Sequence, residues 1–165
     1  MSHRVYIGIG SNIGDRAGFI SKATEEIKKL APATFREMSS VYETKPYGVK
    51  EQENFYNLVI GIDYEGAPLD LFRELKNIEK KTGRGERARW HEREIDLDIL
   101  LFGEIVIKTD ELEIPHAELV KRDFVILPLL EINSNIIIPG TGRMLREIVI
   151  PEEDRCVIKK LNLKF

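Results

Sequence analysis

The chain has 165 residues, 42% hydrophobic and 32% charged, with a net charge of −3. That length suits one domain over residues 1–165, able to bury roughly two-thirds of its unfolded-chain surface. The acidic balance argues against a protein held to nucleic acid by bulk charge. A single cysteine, Cys156, excludes an internal disulfide and cannot alone build a cysteine zinc site. No stretch is long and apolar enough for a signal peptide or a membrane span. A soluble cytoplasmic protein with no nucleic-acid or membrane partner is the expectation.

In chain order, Arg4 to Ile9 alternates as a strand, and Asp15 to Leu30 places Ile20, Thr24 and Ile27 at helical spacing before Pro32. Phe35 to Tyr42 reads as one strand, followed by the polar loop ETKPYGVKEQEN. Phe55 to Ile62 is a strong strand. Pro68 opens a second helix with Leu71, Leu75 and Ile78 on one face, and Gly83 stops it. An arginine-rich loop then leads to a strand over Ile95 to Leu101. Strand, helix, strand, strand, helix, strand is the split βαβ order, so the fold class is α+β, a ferredoxin-like βαββαβ sandwich. The remainder, with apolar pieces at Phe124–Ile132 and Met144–Ile150, forms a C-terminal extension, an added layer.

In that architecture helices cover one sheet face and the other stays partly open. Alternation puts Val5, Ile7 and Ile9, then Tyr56, Leu58, Ile60 and Ile62, then Ile95, Leu97 and Ile99, on the helix side. Gly8, Gly10, Phe55, Asn57, Asp96 and Asp98 fall on the open side. Carboxylates at i and i+2 of a strand stand roughly 6 to 7 Å apart at their α-carbons and suit hard cations such as magnesium. The ordinary alternative is a pair of solvated acids. Arg84, Arg87, Arg89 and Arg93 crowd the preceding loop, where guanidinium forks suit phosphate oxygens, although Glu86, Glu92 and Glu94 would also balance them as a plain charged loop.

Other residues carry weaker signals. Gly8, Gly10 and Gly14 miss the dinucleotide spacing and read as a tight turn between strand and helix. His116, after Ile114-Pro115, could donate to phosphate or simply sit in a turn. Trp90 is unexpected in a charged loop, since tryptophan seeks burial or a flat partner. Phe55 and Phe124 could be core. Phe55 beside Asn57 could instead stack a planar ring whose amide edge Asn57 reads.

Five blocks in order, YIGIGSNIGDR, SSVYETKPYG, NFYNLV, RWHEREIDLDILLFG and IPHAELVKRDFVILPLLEI, closely resemble the hydroxymethyl-dihydropterin pyrophosphokinases. The resemblance implies that ATP, as co-substrate, gives its β,γ-pyrophosphoryl group to the hydroxymethyl of 6-hydroxymethyl-7,8-dihydropterin, releasing AMP in folate biosynthesis. It implies that Asp96 and Asp98 bind two Mg2+ ions and that Arg84 and Arg93 join them in catalysis. Glu79, Arg84, Trp90, Arg93, His116 and Arg122 fall where the family contacts ATP. Phe55 and Phe124 would sandwich the pterin, Asn57 would bond its edge, and Thr44, Tyr47 and Trp90 would complete that pocket. His91-Glu92 replaces a glycine-proline frequent in the family, and Phe55 stands where some relatives have tyrosine.

Two other classes compete. Val5-Tyr6-Ile7-Gly8 superficially matches one strand motif of ferredoxin-like RNA-binding modules, but residues 54–59 lack the basic and glycine positions of the second. A two-metal nucleotidyl transferase or nuclease would keep the acids and change the chemistry.

Overall fold

Alternation of Val5, Ile7 and Ile9 with Tyr6, Gly8 and Gly10 produces the central strand β1 (His3–Ser11), its isoleucines and valine fully buried. The computed structural model describes residues 1–85 and 92–165. β1 is followed by α1 (Arg16–Lys28), whose N-terminus is capped by the Asp15 carboxylate accepting from Gly18 N at 3.0 Å. Next come β2 (Ala33–Met38), β3 (Val41–Thr44) and β4 (Phe55–Tyr64). α2 (Pro68–Thr82) opens on its proline and stops at Gly83, whose φ of 114° lies in the left-handed region that glycine tolerates. β5 (Asp96–Phe102) completes the βαββαβ order.

The strands form one antiparallel sheet in the order β5-β1-β4-β3, with β2 pairing the other half of β4. This is the ferredoxin-like arrangement read from the sequence. Val5, Ile7, Ile9, Leu58, Ile60, Ile62, Ile95, Leu97 and Ile99 pack beneath α1 and α2 with Ile20, Leu71 and Leu75. Each such side chain contributes roughly 1.5 to 3 kcal/mol of burial. The core therefore fixes the register and with it the residues on the opposite face.

Two expectations change and one gains detail. Phe35 to Tyr42 is not one strand: it breaks at Ser39-Ser40, because the Ser39 hydroxyl accepts Val59 N at 2.9 Å in place of a backbone carbonyl. The far face is partly open and partly covered, as the sequence reading expected. Tyr6, Val59, Leu100 and Leu101 are buried there against α3 (Asp123–Ile132), reached after the small hairpin β6 (Ile107–Lys108) and β7 (Glu113–Ile114), and against Ile136, Leu145 and Ile150. A register shift between β1 and β5 lets the consecutive Leu100 and Leu101 both serve this second core. Finally, the C-terminal segment forms β8 (Val157–Leu161), which pairs with β3 and extends the sheet. No helix among the described residues is long and apolar enough to cross a membrane.

Candidate active site

The half of the far face that α3 leaves uncovered holds a cavity of about 310 Å³. Its floor is β1. Gly8 stands opposite Asp98 of β5 and Val59 of β4, and Gly10 stands opposite Asp96 and Asn57. Directly paired residues of antiparallel strands bring their side chains within about 5 Å. Glycine on the middle strand therefore leaves a bare channel between the acids and Asn57. The sequence reading of these glycines as turn residues holds for Gly14, with φ of 69°, but Gly8 and Gly10 are floor.

Asp96 and Asp98 both line the cavity, as alternation requires. Burial and then the neighbouring Asp96 charge push the Asp98 carboxyl up to about 7. Among the described residues no group of three or more His, Cys, Asp or Glu side chains could enclose a metal. The donor set is thus two carboxylate groups on an open floor. That fits magnesium, which takes one or two carboxylates and fills its remaining positions with water and phosphate oxygens.

Cations ring the acids. The Arg84 guanidinium lies 3.5 Å from Asp96 and donates to the Glu79 carboxylate, while Arg93 and Arg122 also line the cavity. Glu79 was expected to touch the nucleotide. It does not line the cavity: it is 1% exposed behind the floor, paired with Lys76 at 2.7 Å and with Arg84, and accepts Leu97 N at 3.4 Å. Burial raises its carboxyl above the usual range, against the pull of Lys76. In this position Glu79 holds Arg84 against β5.

His116 lines the cavity 3.9 Å from Asp98. Its Nδ1 accepts Glu118 N at 3.0 Å, so the neutral ring carries its proton on Nε2, facing the acids. Burial and then the charge of Arg122 lower its pKa to about 4. His116 is therefore a neutral donor rather than a cation paired with Asp98.

The other end of the cavity is aromatic. Phe55, Tyr47 and Phe124 line it, with Tyr47 and Phe124 edge to face at 6.2 Å. The Arg122 guanidinium lies over both rings, 5.0 and 5.5 Å from their centroids. Asn57 donates to the buried Thr44 hydroxyl at 2.8 Å, which fixes its amide toward the floor. Trp90 lies outside the described residues, as do Arg87 and Arg89.

The sequence reading passed over three residues. Lys76 stands three positions before Glu79, a helical pairing distance that signals the ion pair. Glu118, on the cavity wall, accepts the Tyr47 hydroxyl at 3.4 Å. The fully buried Asn12 donates to Gln52 and to the Glu53 carbonyl and accepts Arg93 N at 2.8 Å, tying two loops that flank the cavity. No local pattern announces a contact between residues so far apart in sequence.

A carboxylate pair among arginines, beside an aromatic slot on a ferredoxin-like sheet, defines the class: an α+β enzyme for transferring part of a polyphosphate. Comparison with known proteins narrows it. The profile of the 7,8-dihydro-6-hydroxymethylpterin-pyrophosphokinase family matches residues 6–134. The 2-amino-4-hydroxy-6-hydroxymethyldihydropteridine pyrophosphokinase of Aquifex aeolicus is 44% identical over 143 residues, 87% of this chain and 88% of that one. The protein of the same name from Haemophilus influenzae is 38% identical over 154 residues, covering 93% and 96%. Plasmodium falciparum HPPK-DHPS, solved with pteroate, superposes with a TM-score of 0.70 at 15% identity, over 88% of this chain and 41% of that longer one, and so shares the fold. The chain belongs to the 7,8-dihydro-6-hydroxymethylpterin-pyrophosphokinase family, and with it to the ATP-using diphosphotransferases of folate biosynthesis. This replaces the RNA-binding and nucleotidyl-transfer alternatives, and burial of Tyr6 beneath the second core also removes the first strand's aromatic from any RNA-binding face.

Proposed function

We propose that this chain, acting as a single cytoplasmic unit over residues 1–165, moves the β,γ-pyrophosphoryl group of ATP onto 6-hydroxymethyl-7,8-dihydropterin between its carboxylate and aromatic ends. The hydroxymethyl oxygen forms the new bond to the β-phosphorus. The bond from that phosphorus to the oxygen bridging it to the α-phosphate breaks, AMP leaves with that oxygen, and the hydroxyl proton passes to solvent. Phe55 and Phe124 hold the pterin ring and Asn57 its amide edge, with Thr44 and Tyr47 behind them. Arg84, Arg93, Arg122 and neutral His116 meet the phosphates as donors.

Pyrophosphoryl transfer disperses charge over an in-line transition state, so positioning and fixed positive charge do most of the work. Asp96 and Asp98 would hold two magnesium ions, which when bound neutralise polyphosphate charge and align the attacking and leaving oxygens. The acidic net charge supports small-molecule substrates with no nucleic-acid partner, and we read the enzyme as a monomer.

One observation carries the reading: the bare glycine channel joins the acids on β5 directly to the slot formed by Phe55, Asn57 and Phe124. The test is to mix the protein with ATP, magnesium and the hydroxymethyl pterin and resolve the products. AMP and a pterin diphosphate in equal amounts support the proposal; ADP, or no nucleotide turnover, sinks it.

A further inference from the structure

Asp123 is buried at the first position of α3, between Arg122 and Phe124, which both line the cavity. An aspartate there ordinarily serves its own helix N-terminus. This one turns away from it. Both carboxylate oxygens accept Cys156 N at 3.0 Å, and Oδ2 also accepts Val157 N at 2.9 Å. The same two residues hold the opposite wall. Cys156 O accepts Lys45 N at 2.8 Å, and Val157 stands opposite Thr44 where β8 pairs with β3. Thr44, Lys45 and Tyr47 line the cavity, and the Tyr47 ring meets Phe124 edge to face at 6.2 Å.

From this we infer that Asp123 is a positioning residue for the aromatic slot: through the backbone of Cys156 and Val157 it sets the distance between the wall bearing Phe124 and the wall bearing Thr44, Lys45 and Tyr47. The inference rests on the pterin-binding reading above. A charged acceptor in a buried place makes strong hydrogen bonds, and because Thr44 is paired with Phe55 the same junction sets where Phe124 stands relative to the ring opposite it. Asp123 touches no substrate. Its effect reaches the pterin through Phe124, whose side chain is short and rigid, whereas the long Arg122 side chain can follow a phosphate when its backbone shifts.

Two variants test this. Asp123→Asn replaces one acceptor oxygen by an amide donor that faces the backbone N–H groups. Val157→Pro deletes a donor from the other side, and proline is tolerated at the first residue of a strand. Pterin binding is measured by calorimetry with magnesium and a saturating non-hydrolysable ATP analogue, and binding of the analogue is measured separately. Both variants should weaken pterin binding by about tenfold, as loss of a charge-assisted hydrogen bond implies, and change analogue binding by less than about twofold. In a crystal of either variant the separation of the Tyr47 and Phe124 rings should depart from 6.2 Å. Should Asp123→Asn fail to fold, Val157→Pro carries the test. Unchanged pterin affinity in a folded variant, or equal losses for both ligands, would overturn the inference. If the parent protein binds no pterin, the functional reading falls, and the ring separation alone decides the positioning role.

Discussion

Asp98 and His116 face each other at 3.9 Å, and burial moves both toward neutrality, the acid up to about 7 and the histidine down to about 4. An acid held this way does not exist for the stability of the fold. Asp98→Asn should melt no lower than the parent, because it removes a carboxylate crowded by Asp96. Turnover should nevertheless fall by at least about 10²-fold, the scale on which fixed electrostatic groups act in transition states. Thermal melts and AMP release in magnesium buffer check both halves. An active Asp98→Asn enzyme would remove the metal-binding role.

Gly10 is fixed by its neighbour. A Cβ at this position would lie 2.6 Å from Asn57 Oδ1, inside any tolerable contact. Gly10→Ala should push the Asn57 amide off its Thr44 partner and weaken pterin binding by about tenfold, the cost of one polar contact left unmade. ATP-analogue binding should hold. Titration calorimetry of each ligand distinguishes this from a general loss of structure.

Phe124→Ala removes one face of the aromatic slot. Stacking of a planar ring on an aromatic side chain is typically worth about 1 to 3 kcal/mol, and pterin affinity should fall accordingly. In the proposed arrangement ATP takes the carboxylate end of the cavity, so its binding should change little. Equal losses in the two titrations would count against the assignment of that slot.

Glu79 sits behind the floor, holding Lys76 and Arg84 by their charges. Glu79→Ala leaves those cations without their buried partner. Lys76 and Arg84 stay a quarter to a third exposed, so we expect no more than about 1 kcal/mol of destabilisation in urea unfolding. ATP binding should also weaken, because Arg84 loses the contact that holds it beside Asp96. Intact ATP affinity in the folded variant would show that Arg84 needs no such support.

Glu131 ties α3 to β3. Burial would raise its carboxyl, but the Tyr42 hydroxyl at 2.6 Å, Ser40 N and Lys160 outweigh that and hold it below the ordinary value. A carboxyl depressed in the folded state stabilises above its unfolded pKa, and that contribution disappears as pH falls through the folded value. Glu131→Gln should therefore melt several degrees, roughly 3 to 5 °C, below the parent at pH 7, with the gap closing in acid. A gap constant from pH 7 to pH 3 would contradict the linkage.

Most of the fold and the site face were legible in the chain. The alternation of Ile95, Leu97 and Ile99 against Asp96 and Asp98 fixed which side of β5 met the helices, because strand pleating is local and burying isoleucine outweighs any gain from exposing it. The Pro68 start and Gly83 stop of α2 were equally local, as each follows from a single residue's backbone chemistry.

What tertiary structure decided was how residues distant in sequence meet. Glycine at positions 8 and 10 became the floor of a channel only once β5 and β4 paired on either side of β1. Glu79 went behind the site rather than into it because α2 packs against β5, bringing Leu97 N within reach of its carboxylate. The break at Ser39 depends on Val59, and the junction of Asp123 with Cys156 joins residues more than thirty positions apart. Sequence periodicity encodes the face on which a side chain stands. Its partners across the sheet are set by register and packing, which only the folded chain supplies.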